Sequence, residues 1–252
     1  LSVHQLVEMF SIPPLLASAW VLVKASRSKL DVKSLIVSGL FLGLATGLRY
    51  QVGVFGLGYV FAFAIQGGRE NIVHSCKQSL VFGVSAMVMF IAVQVPADII
   101  LWSEPFAQLG AYIQYNLTHA EHYPQGGPFN FIWVILALSL PPISIFILAG
   151  YFSSFRKFAL LVLPSLVFII FHSVFPNKQE RFILPAMPFV IIAGVMGWGI
   201  LKEKISWLKT EVGIKLENTL IKTSIFVNIV LLVGLTLSSK NTSELRAMSA
   251  IN

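Results

Sequence analysis

The sequence predicts an all-α fold, a polytopic transmembrane helical bundle of about eight spans, and three observations predict it. Hydrophobic residues make up 56% of the 252-residue chain against 12% charged, with a mean hydropathy of +0.80, far from a soluble globular composition. Apolar stretches that meet or approach the roughly 20 residues a helix needs to cross a hydrocarbon core recur along the chain. Lysine and arginine fall mainly in the short connections between those stretches, and preferentially in alternate ones. The net charge of +7 is dispersed over these connections, which argues against a nucleic-acid-binding domain. Cys76 is the only cysteine, so an internal disulfide and a thiolate metal site are both excluded.

The apolar segments cover residues 9–23, 35–48, 52–65, 80–101, 129–151, 158–175, 182–201 and 223–237. The second and third are about 14 residues each, roughly 21 Å of helix, and Arg49-Tyr50-Gln51 joins them. They read as a tight helical pair with a polar apex. Gly39, Gly43 and Gly47 recur every fourth residue, a stripe that lets a neighbouring helix approach closely. The fourth segment ends near Asp98, a carboxylate whose position at the end of a span is costly unless it finds a partner or water. His172, inside the sixth segment, reads as a hydrogen-bonded packing residue. One transmembrane domain over residues 1–239 and a C-terminal tail over 240–252 is the expected organisation. Leu1 is not an initiator methionine, and the chain reads as an N-terminally truncated fragment.

Orientation follows from the cations in the loops. Lys24, Arg27, Lys29 and Lys33 fill one connection, Arg69 and Lys77 a second, Arg156 and Lys157 a third, and Lys202, Lys204, Lys209, Lys215 and Lys222 a fourth. Eight spans put all four on one face, read as cytoplasmic. Arg49, Lys178 and Arg181 then lie on the opposite face, where cations are otherwise confined to the tail. A charge near the membrane is usually partnered, and these three are candidates for holding an anion. The alternatives are snorkelling to the interface or a structural pair such as Arg181 with Glu180.

The connection from Asp98 to Phe131 is the only long one on that outer face, and long ordered loops tend to carry function. Within it Phe106, Leu109, Ile113 and Leu117 are spaced like one face of a helix lying in the interface. Such a helix could support the mouth of a cavity, and Pro124, Gly126, Gly127 and Pro128 would end it. His119, Glu121 and His122 lack a matched third ligand and read as polar loop residues, so no metal is expected. Asn116-Leu117-Thr118 and Asn241-Thr242-Ser243 fit the short N-glycosylation pattern, on which nothing rests.

The run Asn177-Lys178-Gln179-Glu180-Arg181-Phe182, followed by Pro185 and Pro188, resembles the His-Lys-Glu-x-Arg-Phe pattern of glycosyltransferase family 22. These are the lipid-phosphate-mannose-dependent mannosyltransferases of GPI-anchor and N-glycan assembly. Asp98 followed by Tyr115-Asn116, then Tyr123 and Pro128-Phe129, resembles further elements of the family, as do the short helices over 40–50. The resemblance covers most of residues 1–201. It departs at Asn177 and Gln179, where the family has ionisable groups, so the motif as it stands here fits phosphate binding rather than an acid/base role.

The resemblance implies the GT-C fold and an inverting transfer of mannose from a polyprenyl-phosphate donor to a lipid-linked glycan. It implies Lys178, Arg181 and Arg49 as donor phosphate-binding residues, with Asp98, Tyr115, Asn116, Asn177, Gln179 and Tyr123 positioning substrate. The family's general base is a carboxylate in a first outer loop that this chain lacks, so the catalytic residue stays unassigned and the isolated fragment is expected to lack it. Implied partners are the lipid donor, the lipid-linked acceptor and membrane lipids, with no cofactor. The implied location is the endoplasmic reticulum membrane in a eukaryote or the inner membrane in a bacterium, with the site on the luminal or periplasmic side. Two other readings fit parts of the pattern: a lipid transporter or flippase, which would also use intramembrane charge, and a catalytically silent membrane subunit.

Overall fold

The computed structural model describes residues 4–27, 30–68, 72–119, 126–139, 141–175 and 178–237. Among them there is helix and no strand, as a lipid-embedded backbone requires, since each N–H and C=O must be satisfied within its own segment. The helices are α1 (His4–Ser26), α2 (Val32–Leu48), α3 (Phe55–Gly67), α4 (Ile72–Trp102) and α5 (Ala107–His119). They continue with α6 (Asn130–Ser139), α7 (Ile143–Ser153), α8 (Ala159–Val174), α9 (Met187–Lys204) and α10 (Glu211–Leu237). Short 3-10 turns over Tyr50–Val54 and Glu180–Ala186 lead into α3 and α9. Four stretches are long and apolar enough to cross a membrane: Glu8–Ser26, Tyr50–Gly67, Ile72–Trp102 and Glu180–Lys204. Helices α2, α7 and α8 are apolar but shorter.

Two sequence expectations need correction. The apolar segment 129–151 is not one helix, because the Pro141-Pro142 pair separates α6 from α7, a proline having no N–H to donate and a ring that blocks the preceding turn. Helices α2 and α3 do not form a pair packed on each other. Helix α2 lies between α1 and α4, whereas α3 packs on α8 and α4. The 3-10 turn at Tyr50 redirects the chain, so the two short helices share α4 but otherwise lean on different neighbours, α1 for α2 and α8 for α3.

The glycine stripe explains the first of these contacts. A Cβ added at Gly39 or Gly43 would run into the carbonyl oxygens of Phe82 and Ala86 on α4, so only glycine permits the observed approach. A second close crossing joins α7 to α9, where Gly150, Gly194 and Gly197 put the two backbones against each other. Side-chain hydroxyls tie this and other crossings. Ser38 donates to the carbonyl of Ser18 at 2.9 Å between α2 and α1, Ser153 to Gly197 at 2.9 Å between α7 and α9, and Tyr151 to Val162 at 2.9 Å between α7 and α8. Between these seams sits an aromatic core in which Phe55 meets Phe168 at 4.7 Å and Phe189 at 5.0 Å.

The succession of helices brings the described ends of the lysine-rich connections to one end of the bundle. Asp31 caps α2 there, accepting from the Ser34 amide at 3.0 Å, and Lys202 pairs with Glu217 at 2.5 Å. The start of α1, the turn at Tyr50, the end of α4, all of α5 and the junction of α8 with α9 gather at the other end.

Candidate functional site

That second end contains a charged cluster built on a residue outside the sequence expectations. Glu8, in the second turn of α1, is 2% exposed. Its Oε1 receives the Arg49 guanidinium at 2.5 Å and lies 3.8 Å from Arg181 Nε. Arg49 belongs to the link between α2 and the 3-10 turn, and also donates to Gln51 Oε1 at 2.7 and 3.1 Å. Both guanidiniums lie over the Phe182 ring, at 5.4 Å for Arg49 and 5.7 Å for Arg181, a placement that the negative face of the ring favours. One carboxylate against two guanidiniums leaves the cluster with one positive charge. Glu8 Oε2 and Arg181 Nε have no hydrogen-bond partner among the described residues, so hydrogen-bonding capacity remains on both signs of charge.

Lys178 takes a different position from the arginine pair. Its ammonium donates to the carbonyls of His172, at 3.0 Å, and of Ser173, and it stands 5.7 Å from the Phe131 ring. It therefore satisfies the orphan carbonyls at the C-terminal end of α8, where a cation also complements the helix dipole. The alternative pairing of Arg181 with Glu180 is not formed; Glu8 takes that place.

Beside the arginine pair lies a cavity of about 360 Å³. Helix α5 supplies Leu109, Tyr112, Ile113, Asn116 and Leu117 as one wall, so of the expected face Phe106, Leu109, Ile113 and Leu117 the last three border a cavity, while Phe106 precedes the helix and does not line it. The end of α8 contributes Phe171, His172 and Phe175, and the two 3-10 turns contribute Tyr50, Gln51, Val54 and Phe182. The cavity meets the charged cluster at Phe182 and Gln51, the two side chains that Arg49 also contacts. Burial pushes the Tyr112 phenol above its ordinary range, against the opposing pull of Arg49, so it is a neutral hydroxyl. Its ring sits 5.2 Å from that of Tyr50, and the Tyr50 hydroxyl donates to Gln108 at 3.2 Å.

The remaining sequence candidates are dispersed. Asn116 lines the cavity and donates to the Tyr112 carbonyl at 2.8 Å. Tyr115, one residue earlier on α5, is 47% exposed and is not among the lining residues. Asp98 is fully buried in α4, neither oxygen has a hydrogen-bond partner among the described residues, and it does not line the cavity. Gln179 precedes the second 3-10 turn without making a side-chain cap. Asn177 and Tyr123, like Glu121, His122 and the 241–243 motif, lie outside the described residues.

Glu8 went unnoticed in the sequence because it stands at the edge of an apolar segment and matches no motif. The available signal was an acidic residue entering a membrane helix with no cation within one turn, which calls for a partner from elsewhere in the chain. Gln51 was visible only as part of the polar apex and Tyr112 carried no signal, both being ordinary polar residues until the fold puts them around a hollow.

Comparison with curated proteins and with solved structures gives no match. A family model does match, over residues 7–252, nearly the whole chain and including all the elements that build the charged cluster and the cavity. The chain is an integral-membrane glycosyltransferase belonging to the Alg9-like mannosyltransferase family.

Proposed function

We propose that the protein transfers mannose from a polyprenyl-phosphate donor to a hydroxyl of a lipid-linked glycan, with inversion at the sugar carbon. The observation that carries this reading is the pairing of Arg49 and Arg181 around one carboxylate, directly beside an apolar-walled cavity. A polyprenyl-phosphate sugar has three parts, and each has a counterpart here. The phosphate is an anion suited to two guanidiniums, whose planar forks match phosphate oxygens. The isoprenoid suits walls such as Leu109, Ile113, Phe171 and Phe175. The sugar suits the polar groups of Gln51, Tyr112, Asn116 and His172 that interrupt those walls.

In such a transfer negative charge grows on the departing phosphate, so positive groups already fixed around it lower the barrier without reorganising during the reaction. Glu8 fixes them. It holds Arg49 and approaches Arg181, and the single positive charge left over is available to a phosphodiester. Lys178 acts at longer range, holding the end of α8 and with it the cavity wall at Phe171, His172 and Phe175. Removal of a proton from the attacking hydroxyl needs a base, and none is assigned among these residues. The site lies at the end of the bundle opposite the lysine-rich loops, which under the positive-inside rule is the luminal or periplasmic side.

The test is Arg181→Ala in the full chain, assayed for transfer from polyprenyl-phosphate mannose in detergent or proteoliposomes. Loss of one such electrostatic donor is expected to raise the barrier by about 2.7 to 4 kcal/mol, a drop of roughly a hundredfold to a thousandfold in turnover. Unchanged turnover in protein that inserts normally would remove the phosphate clamp.

A further inference from the structure

His172 is the one group at the cavity whose chemistry the proposed reading leaves open. It is 3% exposed, yet it lines the cavity. Its Nδ1 lies 2.9 Å from the carbonyl oxygen of Phe168, one turn back in α8. A carbonyl oxygen can only accept, so Nδ1 carries the proton. Burial and the Lys178 ammonium on the residue's own carbonyl disfavour a second positive charge, and in the neutral ring Nε2 is a lone-pair acceptor. Nε2 is buried and has no hydrogen-bond partner among the described residues. The rings of Phe168 at 4.1 Å, Phe171 at 5.4 Å and Phe182 at 6.1 Å surround the imidazole and offer Nε2 no hydrogen-bond donor. Buried polar atoms are nearly always paired, and a fixed acceptor at a cavity wall defines what can pair with it. The partner must donate.

The charges nearby narrow the donor further. Lys178 is bonded to the carbonyl of His172 itself, and Arg49 lies across the Phe182 ring. A cationic donor would meet two positive charges, and a neutral hydroxyl would not. We propose that His172 is a sugar-reading residue, its Nε2 accepting a hydrogen bond from one hydroxyl of the hexose on the lipid donor. This deepens the donor reading above and rests on it. Phe182 links the two ends of the same ligand: one part of its surroundings is the guanidinium pair, where the phosphate sits, and another is the imidazole. With the guanidiniums at 5.4 and 5.7 Å and the imidazole at 6.1 Å from the same ring, a hexose attached to that phosphate has a hydroxyl within reach of the imidazole.

The test combines a variant with a deoxy series. Wild-type protein and His172→Phe, which keeps an aromatic ring and removes the acceptor, are assayed with polyprenyl-phosphate mannose and with its 2-, 3-, 4- and 6-deoxy analogues. Wild type is expected to lose about tenfold to a hundredfold in kcat/KM when one particular hydroxyl is removed. His172→Phe is expected to lose a similar factor with the parent donor and to be indifferent to that deoxy position. His172→Gln, whose amide oxygen can accept, should recover part of the discrimination. A merely structural role for His172 would weaken all donors alike and leave the deoxy penalty intact, and that result overturns the proposal. Tolerance of all four deoxy donors by wild type overturns it as well, whether or not either variant folds. Absence of any turnover or binding of the parent donor by wild type would instead sink the donor reading, and this inference with it.

Discussion

The pair Glu8 and Arg49 offers a test that separates stability from function. Glu8 is 2% exposed and holds Arg49 at 2.5 Å, with Arg181 3.8 Å away on the same oxygen. Replacing Glu8 by Ala removes the only carboxylate that faces these two guanidiniums among the described residues and leaves two like charges close together in a largely apolar setting. Arg49 keeps its bonds to Gln51, so desolvation of Arg49 is only partly relieved. Breaking one side of a buried pair typically costs about 3 to 5 kcal/mol, and Glu8→Ala is expected to fall in that range. Replacing both partners together, as Glu8→Leu with Arg49→Met, removes the charge and its need for a partner, and such apolar replacements are often neutral or stabilising. The double variant is therefore expected within about 1 kcal/mol of wild type, a coupling of several kcal/mol across the cycle. The assay is reversible unfolding in mixed micelles, with donor binding measured on the same samples. Donor binding should be lost in the double variant even though it is stable. Additive stability losses would refute the buried pair, and a stable double variant that still binds donor normally would refute its part in holding the phosphate.

Three further outcomes follow from particular contacts. Gly43→Ala should destabilise the bundle by several kcal/mol, because its Cβ would meet the Ala86 carbonyl, whereas Gly83→Ala on α4, with nothing within 4 Å, should be neutral or stabilise by up to about 1 kcal/mol; thermal unfolding of both reads the contrast. Hydrogen bonds from Ser34 hold the Asp31 carboxyl below its ordinary 3.8. A depressed carboxylate contributes stability above that value and loses it as pH falls through the folded-state value, so protection of the Ser34 amide relative to its intrinsic exchange rate should fall on acidification in wild type and not in Asp31→Asn, which keeps a neutral cap. Lys178→Met should loosen the end of α8, seen as faster amide exchange over residues 170–175, with a smaller loss of turnover than Arg181→Ala, because its ammonium is engaged by the His172 and Ser173 carbonyls.

Helical character and membrane residence were legible in the sequence because they depend on composition and period alone. Helix α5 was legible for the same reason, its apolar residues recurring at helical spacing. The glycine stripe on α2 was read as packing, and it is packing. What periodicity could not reveal was the partner: the stripe faces α4, and the short helix expected beside it sits elsewhere. The break at Pro141-Pro142 was present in the sequence but hidden by a continuous apolar run on both sides.

The candidate site divides along the same line. Arg49 and Arg181 were conspicuous as cations on the wrong face, and Lys178 was conspicuous for the same reason although its ammonium caps a helix. Glu8 and His172 were not, since a single acid near a helix start and a single histidine in an apolar helix have many ordinary explanations. By itself the sequence determined that this chain is a bundle of membrane helices, because the bilayer imposes hydrophobicity and helical period residue by residue. Only the tertiary structure decided that Glu8 lies between two arginines some forty and some hundred and seventy residues away, and that His172 keeps a free lone pair at a cavity wall. Both depend on which helix ends meet, and no local property of the chain encodes that.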